Sequence, residues 1–332
     1  MRSTWFARNV LRESREFGGA FLPFGSTGRA LLVLLLCVPI PPLEGGTEAT
    51  GGRLKAFVSI PPQAFFVERV GGSHVAVEVL VPPGQSPHTF EPTPRQMARL
   101  AEADVFFSIG VPFEKVFLPF LGDACKNLKI VDTRDGIPLR MMEERPHEEH
   151  ATGDAHDEGH HHPAGTPDPH VWLDPQRAKI LAKNISASLA SLDPKNDGDY
   201  ERNLQALLRD LDSADEQLAQ NLEKYKGRAF FVFHPAYGYF AERYGLEQIA
   251  VEAGGKEPSA RDLAALVDRA KRERVRVVFV QPQFSQSTAK TIAREIGGVV
   301  LPLDPLAEDY LENLEKMGER VAEAFAESDG AP

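Results

Sequence analysis

From Arg53 to about Leu192, short apolar runs alternate with stretches whose apolar residues recur every three or four positions. The runs Leu54–Ser59, Val75–Val81, Asp104–Ser108 and Leu128–Val131 are bounded by Gly, Pro or polar residues, and they predict strands. Helices are expected between them. Thr93-Pro94-Arg95-Gln96 offers an N-cap Thr, Pro at the first helical position and Gln at the third, a capping box. Asp174-Pro175 opens a further helix that should run to about Leu192. The pattern returns later in the chain. Ala229–Phe233, Gln248–Glu252, Val275–Val280 and Val299–Leu303 predict strands, with a helix opening at Ser259 and another over Thr288–Ile296 before Gly297-Gly298. Strands alternating with helices imply mostly parallel sheets.

Between these two units, Tyr200, Leu204, Leu207, Leu211, Ala214, Leu218, Leu222 and Tyr225 keep one apolar stripe. A helix from about Asp197 to Lys226 would be roughly 45 Å long. The expected class is therefore α/β: two parallel-sheet α/β lobes joined by one long rigid helix. The N-terminal lobe would take residues 53–195, the linking helix 196–226 and the C-terminal lobe 227–332. Glu143–Asp168 interrupts the first lobe. It has no apolar periodicity, eight acidic residues against one Arg, and six histidines: His147, His150, His156, His160, His161 and His162. Such a composition cannot bury a core and predicts a surface loop.

Ahead of the first strand, five arginines precede the apolar run Ala30–Ile40. As a helix this run would span only about 16 Å, half a bilayer core. A basic lead, a short apolar run and then small residues predict a secretory signal over residues 1–52, cleaved within Gly46–Gly52, with an uncleaved anchor as the alternative. Leu36 ahead of Cys37 is a poor match to a lipoprotein cleavage site, which favours a soluble exported chain.

Composition narrows the function. A length of 332 residues suits two domains, and a net charge of −11 disfavours nucleic-acid binding. Two Cys exclude a disulfide scaffold and a four-Cys zinc module. The sequence has no P-loop, G-x-G-x-x-G or G-x-S-x-G pattern.

Outside the acidic loop there are four histidines. His74 sits in a polar turn and reads as a surface residue. His88 lies in a Pro-rich loop after a strand, His170 just ahead of a helix, and His234 directly after Phe230–Phe233. Asp304 directly follows Val299–Leu303. In open α/β sheets ligands bind beyond the carboxyl ends of strands. Any one of these residues alone would read as a turn or cap. Together, three imidazoles and one carboxylate predict a divalent-metal site suited to tetrahedral Zn²⁺, with copper and nickel also able to bind.

Four ordered segments carry a resemblance to a known family. They are Gly84-Gln85-Ser86-Pro87-His88-Thr89-Phe90-Glu91-Pro92-Thr93-Pro94, Asp168-Pro169-His170-Val171-Trp172-Leu173-Asp174-Pro175, Phe233-His234-Pro235-Ala236-Tyr237-Gly238-Tyr239-Phe240 and Leu303-Asp304-Pro305-Leu306. From about Leu54 to Phe325 the chain resembles the metal-binding substrate-binding proteins of bacterial ABC transporters, specifically the ZnuA-type zinc-uptake group. The resemblance implies a metal site in the cleft between the lobes, held by His88, His170, His234 and Asp304. It implies a periplasmic, monomeric, non-enzymatic carrier that delivers Zn²⁺ to an ABC permease. Manganese-preferring relatives typically carry Glu where this chain has His234, and an acidic His-rich loop is typical of zinc importers. Glu91 has a family counterpart near the site, but its spacing suits a water-facing supporting role. The disulfide of some relatives is absent. The alternatives are a manganese or iron carrier, a metal-dependent adhesin and, least favoured, a zinc hydrolase.

Overall fold

A strand that is apolar on both faces must lie between helix layers, and three segments of this chain meet that condition. Val105–Ser108 (β3), Ala229–Val232 (β5) and Val277–Val280 (β7) are buried at every position. The computed structural model describes residues 52–142, 165–252 and 256–330. In it, β3 lies inside a parallel sheet with Leu54–Val58 (β1), Val75–Val79 (β2) and Lys129–Asp132 (β4), in the order β2-β1-β3-β4. Strands β5 and β7 lie inside a second parallel sheet with Glu247–Ala250 (β6) and Val299–Pro302 (β8), in the order β6-β5-β7-β8. The edge strand β4 alternates between half-buried and exposed positions, as a one-sided environment requires. Each sheet reverses its strand order in the middle, and loops leaving the carboxyl ends on either side of such a reversal form a crevice.

All eight expected strands form, with most ends shifted by one or two residues. Strand β7 starts at Val277 rather than Val275 because Arg274 turns with a positive φ of 54° and the Val275 N–H bonds back to Ala270 O. Strand β6 stops at Ala250, which corrects the reading of Glu252 as a strand residue. The helix Pro94–Leu100 (α2) has the expected Thr93–Gln96 capping box, Glu114–Ala124 (α3) follows β3, and Ala260–Arg272 (α7) has the Ser259–Asp262 box. Asp174 caps Pro175–Leu192 (α4) through the Gln176 N–H.

The linking helix covers Asp197–Leu222 (α5), about 39 Å. It ends earlier than Lys226 because Glu223–Tyr225 tightens into a 3₁₀ turn that keeps Tyr225 buried. Its apolar stripe packs against α4, the helix Pro61–Gly71 (α1) and a C-terminal helix, Tyr310–Gly330 (α9). Gly318 of α9 permits the last contact: a Cβ there would lie 2.3 Å from Leu218 Cδ2. The start of α9 reaches the first lobe, where Tyr310 packs on Phe65 and Phe66 and donates to Trp172 O. Residues of both sheets, α5 and α9 therefore share one apolar cluster, while the far face of the second sheet packs separately on α7 and Ser287–Glu295 (α8).

Candidate metal site

Loops from the carboxyl ends of both sheets meet over a cleft of about 380 Å³, part of it open to solvent. His88 enters from the loop after β2, and His234 stands two residues beyond β5. His170 directly precedes the 3₁₀ turn Val171–Leu173 that leads into α4. Their ligating nitrogens all lie within 4.8 Å of one another. His88 Nε2 and His234 Nε2 are 3.2 Å apart. Two nitrogens of a tetrahedral zinc site, each about 2.0–2.1 Å from the metal, would be separated by about 3.3–3.4 Å.

Two buried carboxylates hold two of these rings. Asp168 Oδ1 lies 2.7 Å from His170 Nδ1, and Glu252 Oε1 lies 2.5 Å from His234 Nδ1. A carboxylate at Nδ1 places the ring proton there and leaves Nε2 as a lone-pair donor, the arrangement used behind metal-binding histidines. Burial is the largest influence on His234 and lowers its pKa, outweighing the opposing pull of Glu252. The neutral, ligating form is thereby favoured. Phe284 stacks on the same ring, 5.0 Å between centroids.

Glu252 and Gln281 were not singled out in the sequence, yet strand register points to both. Val232 pairs with Ala250 of β6 and with Phe279 of β7. Extending both registers by two residues sets Glu252 and Gln281 level with His234. Gln281 holds the His234 main chain in both directions: its Oε1 accepts the N–H at 3.1 Å and its Nε2 donates to the carbonyl at 2.7 Å. Asp168 lies in the second motif, two residues ahead of the ring it holds.

Asp304 stands apart from the three imidazoles, outside the group whose donor atoms all lie within 4.8 Å of one another. Its Oδ1 accepts from the Leu306 N–H at 2.9 Å and from Gln283 Nε2 at 3.1 Å. Glu91 is exposed. His74 pairs with Asp199 at 2.8 Å, away from the cleft residues. The loop histidines His147, His150, His156, His160, His161 and His162 lie outside the described residues, as does the expected leader apart from Gly52.

The two lobes are tied beside the site. The short helix Gly238–Tyr244 (α6) follows His234 and carries Tyr239, Glu242 and Arg243. Tyr239 donates to Asp168 O at 2.9 Å, and Glu242 pairs with both Arg140 and Arg177 of the first lobe. Arg243 forms a two-bond pair with Asp215 of α5.

Two parallel-sheet lobes that direct three imidazoles at one small cleft define a two-lobed α/β protein with a candidate metal site. The family model described as "ZnuA: Zinc-uptake complex component A periplasmic" matches residues 57–324, and the chain belongs to this family. The zinc-binding lipoprotein AdcA of Streptococcus pneumoniae (strain ATCC BAA-255 / R6) is 32% identical over 287 residues, 84% of this chain. The chain spans only 56% of that relative's length. The high-affinity zinc uptake system protein ZnuA of Bacillus subtilis (strain 168) is 31% identical, covering 79% of this chain and 82% of the relative. A crystal structure of ZnuA superposes with a TM-score of 0.74 at 41% identity, covering 82% of this chain and 99% of that one.

Proposed function

We propose that this chain is an exported protein that captures Zn²⁺ in the cleft through His88, His170 and His234, with Asp304 as fourth ligand, and delivers it to an ABC permease. The observation that carries the reading is the 3.2 Å separation of two imidazole Nε2 atoms whose neighbourhood holds buried carboxylates on His234 and His170. Three neutral nitrogens favour zinc over manganese, calcium or magnesium, which prefer more oxygen. The zinc named in both curated relatives supports the same metal.

The chain binds and releases metal without catalysing a reaction. The two carboxylates nearest the imidazoles are engaged at Nδ1, so neither is placed as a general base for a metal-bound water. Export follows from the basic and apolar pattern of residues 1–52 and from the periplasmic description of the family. The chain divides into lobes of residues 53–195 and 227–332 joined by the linking helix 196–226, and the Glu242 and Asp215 ion pairs tie these parts together beside the site. The chain acts as a monomer, and the loop histidines gather zinc for the cleft.

Metal analysis of untagged protein, followed by competition between zinc and manganese, tests the reading. The expected outcome is one tightly held zinc per chain, kept against a large excess of manganese, with zinc on the loop histidines held only weakly. Displacement of zinc by equimolar manganese would favour the manganese-carrier alternative instead.

A further inference from the structure

The loop between β7 and α8 carries two amides with parallel tasks. Gln281 grips the main chain of His234, and Gln283, two residues on, reaches the Asp304 carboxylate. The backbone around Asp304 has little freedom. Asn313 Nδ2 donates to Asp304 O at 2.7 Å, Tyr237 Oη donates to Leu303 O at 2.6 Å, and the Leu303 N–H bonds to Val280 O at 3.1 Å. What can turn is the carboxylate itself. Its bond from the Leu306 N–H is a local turn within the same loop, which leaves Gln283, in the loop after the neighbouring strand β7, as the side chain that holds it. Gln283 also lines the cleft with the three histidines.

Resting on the reading of this cleft as a zinc site, we propose that Gln283 is a positioning residue that decides whether Asp304 joins the three imidazoles on the metal. Held by the amide, the carboxylate stands apart from the imidazole group. Turned inward, it would give up the Gln283 Nε2–H···Oδ1 bond and, with it, the local Leu306 N–H···Oδ1 bond for a metal–oxygen bond that completes the ligand set. Release runs the other way: the amide recaptures the carboxylate and opens a coordination position to an incoming donor. A neutral amide suits this exchange. A Lys or Arg at the position would form an ion pair that competes far more strongly with the metal, and an apolar side chain would not compete at all.

The test is zinc release from the full chain, followed by stopped-flow mixing with a chromophoric chelator. The variants are Gln283→Ala and Gln283→Met, each alone and with Asp304→Asn, and the Met variant keeps side-chain length. Cobalt(II) absorption reads coordination number in the same proteins. Both single variants should release zinc about tenfold more slowly and show a stronger four-coordinate cobalt spectrum. Both effects should vanish with Asp304→Asn. Unchanged or faster release in the single variants overturns the proposal, as does equal slowing in the Asp304→Asn background. Failure of the wild type to take up zinc or cobalt would overturn the zinc-site reading with it. Tight zinc binding that is lost in His234→Ala, with release unaffected by Gln283, would overturn the Gln283 role alone.

Discussion

The proposed ligands are ordinary imidazoles, and what distinguishes them is what stands behind them. His234 and His170 each rest on a carboxylate that is almost fully buried, Glu252 at 3% and Asp168 at 2% exposure. Glu252→Gln and Asp168→Asn keep the shape and remove the charge that makes each ring a better donor. Each should weaken zinc binding by about 10- to 100-fold, measured by chelator competition. His88, His170 and His234 were legible in the sequence because each follows or precedes a recognisable element boundary. Glu252 was not, because it closes an apolar run and reads as strand. Only the pairing of β5 with β6 sets it level with His234. A different buried acid answers to pH. Burial raises the Glu114 pKa to about 7, against the smaller opposing pull of Ser59, Ile109, Gly110 and Arg134. The unfolded chain deprotonates near 4.5 while the folded one keeps its proton until about 7. Stability from this group is thus fully present below 4.5 and falls as pH rises to about 7, by about 3 kcal/mol. Glu114→Gln mimics the protonated form. Thermal melts should show the variant matching wild type near pH 4.5 and exceeding it at pH 8.

At the scale of elements, the three helices α2, α4 and α7 announced themselves through their caps. Thr93 with Gln96 and Ser259 with Asp262 satisfy N–H groups locally, so no tertiary information was needed to place them. Helix α9 has an apolar stripe as regular as that of α5, with Tyr310, Leu314, Met317, Val321 and Phe325 buried. Its packing against α5 and Phe66 of the first lobe depends on long-range contacts that periodicity cannot supply. Helix α6 is tied to its neighbours by side-chain bonds of Tyr239, Glu242 and Arg243. Burial alone would raise the Asp215 pKa, but bonds from Arg243, Gln176 and Tyr244 more than offset it and leave the pKa lowered. Asp215→Ala strips Arg243 and Tyr244 of their shared acceptor and should cost about 2–3 kcal/mol in denaturant unfolding. Zinc should also be released faster, because α6 begins four residues after His234.

In the whole molecule, two sheets with the same kind of strand-order reversal direct their carboxyl-end loops at one cleft. The alternation of strands and helices made this architecture legible, and the ends of the strands located three imidazoles that the fold brings together. The fourth expected ligand illustrates the limit of such reading. Asp304 has the expected place after β8, yet its carboxylate is engaged by Gln283 and Leu306, a matter of side-chain hydrogen bonding that residue order does not encode. Among the described residues no helix is long and apolar enough to cross a membrane. The central claim is that the three imidazoles hold the metal, and zinc titration of wild type against His234→Ala tests it most directly. The account predicts one tightly held zinc in the wild type and a loss of affinity of at least about 100-fold in the variant. Equal, tight binding of one zinc by both proteins would contradict it.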